Sequence, residues 1–264
     1  MAVRSAEINV MAASAVKVAR ALARDFIELE QLQASKAGSA NFTDRSFNNG
    51  AGIMQETLIK ARPERKVHMS GASTLELDKN DDLWLANPIC GYVNFSRGIP
   101  HFSVAITHIQ RQAALSTVIY DSVHNDLYWA EKGIGAYRND RRIRVSQRRN
   151  LRDTIVGNYE TNMGDTNIYK YQKSVTKQAL NVRMLGSISL DLAYVAAGWL
   201  DGFWSLTAAP YDVIGGGLLV QEAGGFASGI FGTGRPGKGP GILASNTHLQ
   251  GEFSALFRKA SQNV

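Results

Sequence analysis

With 264 residues, 44% hydrophobic and 20% charged, the chain can form one large or two small globular domains with a substantial core. A single cysteine excludes an internal disulfide and fits a cytoplasmic protein. No apolar run reaches membrane length, and the first residues lack the apolar stretch of a secretory signal. The formal net charge of +6 raises the question of nucleic acid. The densest basic cluster, Arg138 to Arg152, has little aromatic interleaving beyond Tyr137, so it reads as a solvated hairpin and loop or a surface for an acidic partner.

In chain order, Ile8, Met11, Ala15, Val18, Leu22, Phe26 and Leu29 recur in steps of three and four, predicting a long amphipathic helix from Ala6 to Leu32. A polar stretch rich in glycine and asparagine, Ser35 to Gly52, follows. A helical run, Ile53 to Ala61, then stops before Pro63. Leu83 to Ala86 reads as the end of a buried strand, with Pro88 and Gly91 forcing a tight turn directly after it. Four β runs, Phe102–Gln110, Ala114–Tyr120, Asp126–Glu131 and Ala136–Val145, predict a meandering antiparallel sheet, with turns at Gly133, Gly135 and Asn139-Asp140. The second half alternates helix and strand, with helices near Ile168–Ala179, Ser189–Ala197, Asp212–Glu222 and His248–Ala260. Gly229 to Gly241 is expected to be a loop. Tyr211, Trp199 and Trp204 are expected in the core.

The segment from Trp84 to Pro100 carries the strongest signal. It resembles the signature of the inositol monophosphatase family, Trp-x-x-Asp-Pro-x-Asp-Gly-Thr-x-Asn-Phe-x-x-Gly-x-Pro. Trp84, Pro88, Gly91, Asn94, Phe95, Gly98 and Pro100 match. The block Pro210 to Gly225 is similar to the family's second signature, with Asp212 at the metal-binding aspartate and Tyr211 in place of tryptophan. Ala130 to Arg142 and Leu185 to Gly198 also match, so the resemblance spans nearly the whole chain and is nearest to the bacterial extragenic-suppressor branch. It implies an α/β (α+β) fold, a layered α-β-α-β-α sandwich of the inositol monophosphatase and fructose-1,6-bisphosphatase type. The expected organisation is one domain over residues 1–264, with halves 1–150 and 151–264 meeting at the site.

Metal-assisted hydrolysis of a phosphate monoester needs cations about 3.5–4 Å apart, clamped by carboxylates. The family implies a ring made from a Glu-Glu pair, two signature aspartates, a late aspartate and an earlier acid. In this sequence those positions fall on Ser70 and Gly71, on Asn87 and Cys90, on Asp212, and on Phe47. Asp212 is the one carboxylate that remains, beside the Ile89 backbone carbonyl. The water-activating threonine falls on Tyr92, and the often acidic polyol-contacting position on Ser205. Asp44 returns an acid to the ring only if its loop shifts by three residues. Cys90 is read as a small thiol filling vacated space, since zinc needs three or four ligands and no base with an orienting partner is evident. His101, His108 and His124 show no metal-ligand spacing. Gly215-Gly216-Gly217 reads as permitting close helix packing.

These positions predict a family member with its magnesium ligands mostly replaced, so that phosphatase activity is lost or weak and no cofactor is bound. The pocket could still admit a small phosphate or polyol through amides near Gly91 and Tyr92 and the helix start at Gly186-Ser187. Two alternatives stay open: a working magnesium-dependent inositol or sugar phosphate phosphatase, and a binding protein of the transcription or RNA apparatus. The resemblance also implies a homodimer, and no membrane partner is expected.

Overall fold

The computed structural model describes residues 3–32, 36–71, 75, 77–161, 166–232, 234–239 and 241–262. Helix α1 (Ala6–Leu32) follows the predicted stripe: Ile8, Met11, Ala15, Val18, Leu22 and Leu29 are all fully buried on one face. The Ser5 hydroxyl accepts from the Ile8 amide at 3.2 Å, satisfying one of the free N–H groups of the first turn.

Helix α2 (Lys36–Ala61) takes in most of the polar stretch that precedes the predicted helix at Ile53. Tertiary packing overrides local propensity there. Thr43 and Ser46 are buried, and the Ser46 hydroxyl returns to the Phe42 carbonyl at 3.1 Å. At Gly50 a Cβ would stand 3.0 Å from the Pro88 Cβ and 3.2 Å from Val18. Gly50 weakens the helix signal and lets α2 approach Val18 and Pro88.

The first sheet has the order β1-β2-β3-β4-β5-β6-β7. Its strands are β1 (Lys66–Met69), β2 (Asp82–Cys90), β3 (Ser103–Gln110), β4 (Ala113–Asp121), β5 (Asp126–Glu131), β6 (Gly135–Arg138) and β7 (Arg141–Arg142). Only the β1–β2 pair is parallel. Two expectations need correction. The run Ala136–Val145 is two short strands, broken where Asn139 and Asp140 take φ of 47° and 65°, the left-handed pair of a tight hairpin turn. Strand β2 does not end at Ala86 but continues through Pro88, with a register shift between Asn87 and Cys90. Proline cannot donate to the ladder, so the strand bulges instead of stopping. Helix α3 (Tyr92–Ser96) follows Gly91, whose φ of 100° suits glycine.

The second sheet has the order β11-β12-β10-β8-β9, from β8 (Ile155–Asn158), β9 (Asn181–Arg183), β10 (Gly202–Ser205), β11 (Gly225–Ser228) and β12 (Ile242–Asn246). The remaining helices are α4 (Thr166–Thr176), α5 (Ile188–Ala196), α6 (Pro210–Glu222) and α7 (Gln250–Gln262). Helix α7 starts after His248 because the Asn246 side chain accepts from the His248 and Leu249 amides, both at 3.0 Å.

Three apolar clusters set the layers. One joins α1 and α2 to the first sheet, one lies between the sheets around α5 and α6, and one joins α4 and α7 to the second sheet. The result is the α-β-α-β-α order. In the central layer the glycines act as expected: a Cβ on Gly216 would collide with Leu192 of α5, and one on Gly217 would lie 2.8 Å from Pro236. Trp204 is buried, but Trp199 is 47% exposed. It lies under the Arg138 guanidinium, 4.7 Å from the ring centre, where a cation–π contact substitutes for burial. Among the described residues no helix is long and apolar enough to cross a membrane.

Candidate functional site

The bulge in β2, the N-terminus of α6 and the turn before α5 meet at one cavity of about 210 Å³. Phe47, Ser70, Gly71, Asn87, Ile89, Cys90, Gly91, Tyr92, Gly186 and Asp212, all singled out in the sequence, line it together. Two others do not. Ser187 is the N-cap of α5, and its hydroxyl donates to the Cys90 carbonyl at 2.9 Å. Ser205 is buried, with its hydroxyl accepting from the Thr207 amide at 3.2 Å. Neither hydroxyl faces the cavity as a free group.

Asp212 sits in the first turn of α6. Its Oδ1 accepts from the Asn87 amide nitrogen at 2.8 Å, and the buried Cys90 side chain lies beside it. Burial raises the Asp212 pKa, against the lowering effect of Cys90 and Asn87. The Asn87 oxygen is engaged too, accepting from the Ile89 amide at 3.1 Å. Cys90 is buried, and its sulfur accepts from the Ser189 amide at 3.3 Å. Burial and the adjacent Asp212 charge push the thiol pKa up, the opposite of an activated nucleophile. The Ser70 hydroxyl is buried with no partner among the described residues.

Asp44 does not line the cavity. It stands one turn before Phe47 on α2, and the Tyr92 phenol donates to its Oδ1 at 2.5 Å. Burial and Asp44 together push the Tyr92 pKa up to about 12. A longer side chain at 92 thus reaches an acid set further back on the helix. Tyr159, at the end of β8, lines the cavity, and no sequence signal marks it. Its neighbour Glu160 is buried and accepts from the Leu206 amide at 2.5 Å and the Thr207 hydroxyl at 2.8 Å, just beyond Ser205. Among the described residues no group of three or more His, Cys, Asp or Glu side chains is placed to hold a metal ion.

Three histidines are held by carboxylates: His101 by Asp191 at 2.9 Å, His108 by Asp82 at 2.9 Å, and His124 by Asp121 at 2.8 Å. Asn94 of α3 donates to the His101 carbonyl at 2.8 Å and to the Leu185 carbonyl, just before α5, at 2.7 Å. At Gly186 a Cβ would lie 2.7 Å from the Asn94 amide nitrogen, so glycine there permits the close approach.

A model of the inositol monophosphatase family matches residues 3–263. The chain belongs to that family. An inositol-1-monophosphatase of Rhizobium meliloti is 36% identical over 249 residues, covering 93% of this chain and 94% of the relative. Nus factor SuhB of Escherichia coli K12 is 31% identical over 228 residues, 85% of each chain. The crystal structure of extragenic suppressor protein suhB from Bartonella henselae superposes with a TM-score of 0.86 at 31% identity, covering 96% of this chain and all of that one. Family membership brings a phosphatase fold, and the activity has to be argued from the side chains that line the cavity.

Proposed function

We propose that this chain is a member of the inositol monophosphatase family whose metal-dependent phosphomonoesterase activity is lost or severely weakened. The observation that carries this reading is the Asn87–Asp212 hydrogen bond at 2.8 Å. Magnesium takes hard oxygen ligands in near-octahedral geometry, and a two-metal clamp needs several carboxylates. Asp212 supplies one, already engaged by the Asn87 amide, and the Asn87 oxygen is committed to the Ile89 amide. This donor set does not fit a magnesium pair. With Tyr92 tied to Asp44, the position that would orient the attacking water is also occupied. The cavity remains suited to a small polar ligand, such as a polyol or phosphate, through Gly91, Gly186 and the free Ser70 hydroxyl. The test is phosphate release from inositol 1-phosphate with magnesium, beside an active relative. Turnover comparable to that relative would reject the reading.

A second reading, compatible with the first, is association with the transcription apparatus. Two observations favour it: the relative from Escherichia coli is named a Nus factor, and Arg141, Arg144, Arg149 and Arg152 are exposed along one segment. Salt-dependent retention of RNA or polymerase supports it, and retention unchanged by salt or by substituting those arginines counts against it. We also propose the homodimer implied by the resemblance, through exposed Val93, Ile99 and Met184. A monomer in sedimentation would exclude it.

A further inference from the structure

A second cavity, of about 360 Å³, opens on a different face of α6, turned roughly half a turn from Asp212 at about 100° per residue. Its floor is apolar, with Ile214 and Leu218 of α6, Ala114 of β4, and Leu75 and Leu77. Its rim carries Lys132, Arg235 and Lys238, all exposed. The lining acid, Glu222, is engaged: its two oxygens accept from the Gly133 and Gly135 amides at 2.9 and 3.0 Å. The walls are tied to one another. Gln112 donates to the Leu77 carbonyl at 2.9 Å, and the Arg235 guanidinium donates to the Gln112 carbonyl at 3.3 Å. Pro236 is seated where α6 has Gly217.

We propose that this cavity binds an amphipathic anion, a small molecule with an apolar body and one carboxylate-like head. The body lies on Ile214, Leu218 and Ala114, and the head sits among Lys132, Arg235 and Lys238. Small-molecule pockets of about 300–1,000 Å³ combine an apolar lining with a few orienting polar groups. Burial of the apolar body supplies affinity. The unbalanced cations of the rim select the sign of the head, because a cationic ligand would meet like charge. The cavity shares α6 with the second signature block but lies away from Asp212, so it does not depend on the state of the metal positions.

The test is displacement of anilinonaphthalene sulfonate fluorescence from the full chain by decanoate, compared with decanol and decylammonium. Decanoate should displace the dye saturably at one molecule per chain, and the other two should do so only weakly. The double variant Lys132→Glu, Lys238→Glu, confined to exposed side chains, should weaken decanoate by about tenfold or more. Ala114→Phe, which fills the floor, should abolish binding; if that variant does not fold, the charge-reversed pair carries the test alone. Equal displacement by decylammonium, non-saturable displacement, or parental affinity in the charge-reversed variant would overturn the proposal. So would a dimer in sedimentation that the same two substitutions dissolve, because the rim would then be a contact between copies.

Discussion

The Asn87 side chain donates to Asp212 at 2.8 Å, bridging two signature positions 125 residues apart in sequence. Where two carboxylates would need a cation between them, an amide N–H completes the contact. Asn87→Asp alone would place two acids against each other in a buried pocket. Like charges at that spacing cannot both ionise freely, so one proton is retained. The variant should lose about 1–3 kcal/mol of stability at neutral pH and regain part of it at mildly acidic pH, when a shared proton restores the bond. Melting temperatures at the two pH values, with chelator present, check this.

Asp212→Asn tests the same contact from the other side. The folded-state pKa of Asp212 is raised, chiefly by burial. Its contribution to stability is therefore complete below the unfolded-state value and is lost as pH rises through the folded one. The asparagine keeps an acceptor for Asn87 and carries no ionisable group into the buried pocket. The expected result is an unchanged melting temperature or a gain of about 1–3 °C, with a flatter pH profile above the acid range. A fall of several degrees would reveal a partner for the Asp212 carboxylate that the amide cannot replace.

Asp191 should show the same sign more plainly. It is fully buried, its Oδ2 has no partner among the described residues, and His101 binds only Oδ1. Burial lifts its pKa from 3.8 to about 6, against the lowering effect of His101. Stability should decline between those two values as pH rises, by an amount on the order of 3 kcal/mol at 1.4 kcal/mol per unit. Asp191→Asn should flatten that part of the denaturation profile. An equally steep profile in the variant would assign the slope to another group.

Much of this was legible in the sequence because it rests on periodicity and on rigid punctuation. The α1 stripe and the antiparallel meander follow from apolar spacing, and the approach of Asn87, Ile89 and Cys90 to one pocket follows from Pro88 and Gly91; that Asp212 joins them is what the family resemblance implied. The first half of α2 was hidden because glycine, asparagine and serine lower local helix propensity, while the packing that overrides it, Gly50 against Pro88 and Val18 and the buried Thr43 and Ser46, is set by the fold. The bulge at Asn87–Cys90 was read as a turn, since proline signals both and only pairing with β3 decides between them. The pairing of Tyr92 with Asp44 was not legible, because it depends on the reach of a phenol across one helical turn. Tyr159 and Glu160 belong to no motif, and only the fold carries them to the cavity and its edge.

Rescue by substitution addresses the scaffold. The triple variant Asn87→Asp, Cys90→Asp, Ser70→Glu clusters four carboxylates with Asp212, which repel without a cation and attract one when it is present. Added magnesium should raise its melting temperature by about 4 °C or more, through binding to the native state, and should leave the parent unmoved. Equal shifts in both proteins would show that these positions do not form the metal site.

The most direct test of the central claim is a calorimetric titration of magnesium into the unmodified protein at neutral pH, with an active relative titrated alongside. A cavity whose carboxylate is held by Asn87 predicts no saturable binding heat under conditions where the relative saturates. Saturable binding of two ions per chain, abolished by Asp212→Asn, would contradict the account.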